Sequence, residues 1–88
     1  MKTSSVSFAQ LRRLLLDLRF VETRGETFWR FEHAESGTVF VFRPYATGEH
    51  VTVQDIAATR KHLDWHGLLS ATVFDDSLTK TPDRLTSP

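Results

Sequence analysis

Eighty-eight residues suffice for one small domain and not for two, so each large apolar side chain counts towards a modest core. The chain has no cysteine, which excludes a disulfide framework and a thiolate metal site. Its 11 basic and 11 acidic side chains cancel, which argues against a strongly basic nucleic-acid binder. The charge is uneven, however: residues 1–30 hold six basic and three acidic groups, and residues 31–88 hold five basic and eight acidic ones. That split reads either as an ordinary mixed surface or as a local basic face for phosphates. The opening MKTSSVSF has no apolar core of a secretory signal, and LLLDL at residues 14–18 is far too short to span a bilayer. A cytoplasmic location and no membrane partner are therefore expected.

In chain order, Val6-Ser7-Phe8-Ala9-Gln10-Leu11 has the form of a capping box, with Val6 and Leu11 spaced as a hydrophobic staple. Phe8, Leu11, Leu14, Leu15 and Leu18 follow at helical spacing and predict a buried stripe, with Arg12, Arg13 and Arg19 largely on the outer side. Phe20 to Arg24 reads as a short strand. Arg24-Gly25-Glu26 reads as a turn in which Gly25 is free to take a positive φ. Thr27 to His33 predicts a second strand, Ala34 to Gly37 a hairpin loop, and Thr38 to Phe42 a third strand ended by Pro44.

That hairpin fixes a register: His33 faces Thr38, Phe31 faces Phe40 and Trp29 faces Phe42. One sheet face then carries Trp29, Phe31, Phe40 and Phe42 and should meet the helices. The other carries Phe28, Arg30, Glu32, Val39, Val41 and Arg43, a mixture less polar than a solvated antiparallel face usually is.

Tyr45 to Val51 reads as a connecting loop containing Gly48 and His50. Thr52 then has the character of an N-cap, with Asp55 at the third helical position and Val51 and Ile56 as a staple. The second helix is expected to bury Ile56, Thr59 or the Arg60 stem, Leu63 and Trp65, and to stop at Gly67. Ser70 to Leu78 fits a short third helix with Val73, Phe74 and Leu78 on one side, or an edge strand over Thr72–Phe74; the helix is preferred. The domain is thus expected over residues 1–78, with a disordered tail over residues 79–88.

The predicted order, α-β-β-β-α with the sheet backed by two helices, is that of the double-stranded-RNA-binding-domain-like (dsRBD-like) α+β fold. Within it the chain resembles the HicA family, small toxins of bacterial toxin–antitoxin pairs. The residues that carry the resemblance are Leu11 to Leu18, Arg24-Gly25-Glu26, Val39-Phe40-Val41-Phe42-Arg43-Pro44, and Ile56 through Leu63 to Gly67-Leu68, over roughly residues 5–69. It implies a messenger-RNA-cleaving enzyme that depends on a histidine near the second strand and is covered by an antitoxin, HicB. This chain departs there. Thr27 or Phe28 stands where that histidine would align, and Glu26 replaces a serine. The resemblance therefore implies a fold and carries no catalytic residue across.

A metal-independent ribonuclease needs a group that shuttles protons near neutral pH. His33, expected at the surface by the hairpin end, and His50, in the loop before the second helix, are the candidates. His62 and His66 share a helix face at i, i+4, but no third ligand is evident, so no metal or cofactor site is expected. The open face offers Phe28, Arg30, Val39, Val41 and Arg43 as candidate binding residues. Three uses are open: RNA, with arginines on phosphates and aromatics on bases; a protein, such as a HicB-like antitoxin or a second copy of the chain; or simple cover by the Tyr45–Val51 loop or the C-terminal segment. The leading expectation is a non-catalytic, degenerate HicA-like domain acting through protein contact. The alternative is an RNA-binding or messenger-RNA-cleaving toxin.

Overall fold

A computed structural model describes residues 3–79. The tail expected over residues 79–88 lies outside them, apart from Thr79, the last residue of a helix. The elements are β1 (Thr3–Ser7), α1 (Phe8–Asp17), β2 (Val21–Arg24), β3 (Trp29–His33), β4 (Thr38–Phe42), β5 (His50–Thr52), α2 (Val53–Trp65) and α3 (Ala71–Thr79). β2, β3 and β4 form an antiparallel sheet in that order, and β1 pairs with β5 in a separate two-stranded sheet. The fold is α+β and compatible with a small dsRBD-like domain.

α1 starts as its sequence dictates. Ser7 accepts the Gln10 amide, and the Gln10 side chain accepts the Ser7 amide at 2.8 Å, so the capping box is closed. Two further first-turn donors go elsewhere: the Phe8 amide donates to the Glu49 carbonyl at 2.8 Å and the Ala9 amide to the Thr47 carbonyl at 2.9 Å. A helix start leaves such donors without intrahelical partners, and the segment after β4 supplies the acceptors. Pairing of β1 with β5, in which the Ser4 hydroxyl also donates to the Val51 carbonyl at 2.8 Å, continues this contact. The expectation of an irregular loop up to Val51 is corrected here: its last two residues are strand.

Both longer helices end in the same way. At α2, Gly67 has φ of 72°, its amide donates to the Asp64 carbonyl, and the Leu68 amide donates to the Leu63 carbonyl. At α1, Arg19 holds φ of 74°, its amide donates to Leu16, and the Phe20 amide donates to Leu15. These are two Schellman closures, one with the favoured glycine and one with arginine. The closure carries Phe20 into the core, so β2 begins at Val21 rather than Phe20.

The hairpin register is the expected one: His33 pairs with Thr38, Phe31 with Phe40 and Trp29 with Phe42. β3 begins at Trp29, not Thr27. Gly25 is not a positive-φ residue; Gly37 and Gly67 are the glycines in that region. Its role is space. A Cβ on Gly25 would lie 2.4–2.9 Å from the ring atoms of Phe28, so the glycine lets that ring lie against the turn.

The core gathers Phe8, Leu11 and Leu15 of α1, the inward row Trp29, Phe31, Phe40 and Phe42, then Phe20, Tyr45, Val51 and Leu63, with Phe74 and Leu78 of α3. α3 is capped by Ser70, whose hydroxyl accepts the Val73 amide. The helix reading of that segment is right, but Val73 is exposed rather than packed beside Phe74. Trp65 is 75% exposed, against the expectation that α2 buries it. It stands two residues from Leu63, about 200° round the helix, and so points away from the core. On the inward side Thr59 is fully buried, while Arg60 is exposed and reaches Asp75.

Arg19 has no side-chain hydrogen bond or ion pair among the described residues, so its left-handed backbone can be relieved by substitution. That conformation costs an L-residue roughly 1–2 kcal/mol, while glycine's greater freedom in the unfolded chain returns about 0.5–1 kcal/mol of this. Arg19→Gly is expected to raise stability by about 0.5 kcal/mol, read as a higher midpoint in urea with an unchanged slope.

Candidate functional site

The pairing of β2 with β3 places Val21 opposite Glu32, and Thr23 opposite Arg30. With the β3–β4 register, the face turned away from the core carries two rows: Val21, Glu32 and Val39, then Thr23, Arg30 and Val41. Val21 and Val41 are 64% and 63% exposed, and Val39 is 41% exposed. Arg30 Nη1 lies 3.1 Å from Glu32 Oε1, and both side chains remain partly open to solvent. The face is aliphatic, carries one opposed charge pair and is close to neutral.

Of the residues the sequence nominated, Arg30, Val39 and Val41 meet on this face. Val21 and Thr23 complete it, and sequence reasoning missed them because β2 was given no register. Phe28 precedes β3 and is half-buried, with its ring close to Gly25. Arg43 follows β4, is exposed, and holds its guanidinium 5.7 Å from the centre of the Tyr45 ring.

The candidate catalytic histidines do not converge with this face. His33 was expected at the surface and is buried instead. Its Nδ1 lies 2.8 Å from Ser36 Oγ and accepts the Ser36 amide, while Ser36 Oγ meets Thr38 Oγ1 at 2.7 Å. Its ring packs on Phe20 at 5.2 Å. The side chain is therefore committed to closing the hairpin. His50 is exposed on β5, in the other sheet, and its ring makes no hydrogen bond or ion pair among the described residues. His62 is partly buried between Phe40 and Trp65. No group of three metal-ligating side chains occurs among the described residues.

Two other surfaces carry charge or aromatic rings. Arg24 stacks over Trp29 with 4.8 Å to the ring centre, and Arg12 approaches the same ring at 5.9 Å while pairing with Glu22. On the helical side an open groove of 710 Å³ is lined by Ala57, Arg60, Lys61, Asp64, Trp65 and Ala71. Arg60 there is held by Asp75 through two contacts of 3.1 and 3.2 Å.

Among the described residues, Tyr45 is the ionisable group with a clear shift. Burial raises its pKa above the ordinary 10.0, and the hydrogen bond to Asp55 adds to that. The hydroxyl donates to Asp55 Oδ2 at 2.6 Å and accepts the Thr52 amide at 3.1 Å. Trp29 Nε1 donates to the Tyr45 carbonyl at 3.0 Å. This phenol joins the end of β4 to the start of α2, which is a structural task.

No protein-family model matches the chain, and neither a curated protein nor a solved structure matches it.

A phenol whose pKa is raised on folding favours the folded state while protonated. That contribution is complete below the unfolded value near 10 and is lost as pH rises towards the higher folded value. Tyr45→Phe removes it and leaves the Thr52 amide without its partner, so stability at pH 7 should fall by about 1–3 kcal/mol. The alkaline limb of a pH–stability curve should become shallower than in the parent chain.

Proposed function

We propose that this chain is a non-catalytic protein-binding domain of HicA-like type that works through the open face of its three-stranded sheet. The observation behind this reading is the exposure of Val21, Val39 and Val41 together on one sheet face. Aliphatic side chains gain by leaving water, yet valine offers no ring on which a base could stack, as single-stranded RNA recognition requires. The Arg30–Glu32 pair makes the face nearly neutral, which suits a protein contact better than a phosphate backbone. The burial of His33 and the placement of His50 in the other sheet support a non-catalytic role. A cytoplasmic setting agrees with the absence of cysteine, and no helix among the described residues is long and apolar enough to cross a membrane.

A photo-crosslinking residue at position 41 tests the reading in cells that express the chain at native level. A discrete crosslinked product should form from position 41 and not from position 57 on the outer side of α2. Equal or no crosslinking at the two positions would defeat the proposal. With purified chain, cleavage of RNA that disappears on His50→Ala, or tight RNA binding lost by Val41→Glu, would support the toxin alternative instead.

A further inference from the structure

The open face is complementary to itself, and we infer that its partner is a second copy of this chain, stacked face to face about a two-fold axis. This rests on the preceding proposal that the face binds protein. The argument is one of register. Glu22, Phe31 and Phe40 form one row across the sheet, at the middle of β3 and β4. Consider a two-fold axis that lies in the interface, runs along this row and is perpendicular to the strands. It reverses strand direction and keeps each strand over its own counterpart.

Residues one step either side of the row then exchange places. Arg30 comes to face Glu32 of the second copy, and Glu32 faces Arg30 of the second copy. Val39 faces Val41 and Val41 faces Val39 across the axis, while Val21 meets Thr23. A single operation thus sets opposite charges against each other and valine against valine, as an isologous interface demands. Aligned packing of two sheets at about 10 Å, tilted by about 30° through their twist, is the ordinary geometry for such a contact. The Arg30–Glu32 pair of each copy would become one edge of a square of alternating charge.

Size predicts strength. Three strands of about five residues make a face of about 14 by 17 Å, on the order of 240 Å² in projection. A standard stable interface covers about 800 Å² on each partner. The dimer should therefore be weak and concentration-dependent.

Sedimentation equilibrium on the full chain, from about 10 µM to about 1 mM, covers the range that such a contact calls for. The native chain is expected to move from monomer towards dimer and no further. Arg30→Glu makes the face carry two negative charges, and Glu32→Arg makes it carry two positive ones. Each variant alone should dimerise at least about fivefold more weakly, and an equimolar mixture should recover association to within about threefold of native. Circular dichroism melts confirm that both variants fold, since both positions are solvent-facing. A native chain that stays monomeric throughout, or a mixture no better than its components, would overturn the inference. If position 41 still crosslinks to a different protein, the binding-face reading survives and only the choice of partner fails. If position 41 crosslinks to nothing and the native chain also stays monomeric throughout, both fail.

Discussion

The ring of Phe8 holds this small domain together. It is fully buried, with its centre 5.0 Å from Trp29, 5.3 Å from Tyr45, 6.0 Å from Phe42 and 6.2 Å from Phe31. The same residue opens α1, directly after the Ser7 cap, and its amide is taken by Glu49. One residue therefore sets where the helix begins, which sheet face it covers and where the segment after β4 must run. Truncating a buried phenylalanine costs about 3–5 kcal/mol, a large part of the 5–15 kcal/mol that a domain has in total. The Tyr45 hydroxyl extends the arrangement by tying this aromatic cluster to the cap of α2 through Thr52 and Asp55.

That cluster explains the asymmetry of the sheet. The aromatic side chains of β3 and β4 point inward, where rings fill a thin core with few residues. The alternate positions of β4 are valines, which favour the strand conformation without adding further rings. The result is a sheet rigidly backed on one side and aliphatic on the other. Rigidity matters for recognition because a preordered surface loses little conformational entropy when it is covered.

Much of this was legible in the sequence, for physical reasons that differ by element. The β3–β4 register followed from alternation plus a short loop, because a slip of one residue would exchange the two faces. The caps at Ser7 and Thr52 and the stop at Gly67 were local and were read directly. β1 was not, since Thr-Ser-Ser-Val-Ser has no alternation and its pairing with β5 joins residues more than forty apart. Arg19 gives no sign of a left-handed conformation, because tertiary placement of Phe20 imposes it. Gly25 was misread as a backbone device when it is a packing one. On the candidate site, Arg30, Val39 and Val41 were legible from the hairpin. Val21 and Thr23 required the β2 register, whereas alternation already put His33 on the inward row with Trp29 and Phe31, and its place at the hairpin end was wrongly given more weight.

The charge pair on the open face bears on specificity more than on strength. An exposed ion pair contributes about 0–1 kcal/mol, so the valines must supply most of any association. Aliphatic contacts alone, however, would accept several stackings. Moving the two-fold axis by one residue, from the Phe31 row to the Arg30 row, would place Arg30 against its own copy and Val41 against Val41. Moving it the other way would set Glu32 against Glu32 and Val39 against Val39. Valine tolerates all three arrangements, whereas the charges favour the central one and penalise both neighbours. A chain of zero net charge has no long-range repulsion to keep copies apart. In the proposed dimer Arg30 and Glu32 would choose the register once the copies had met, a task their side-by-side placement on β3 would serve even with each pair adding little to the total.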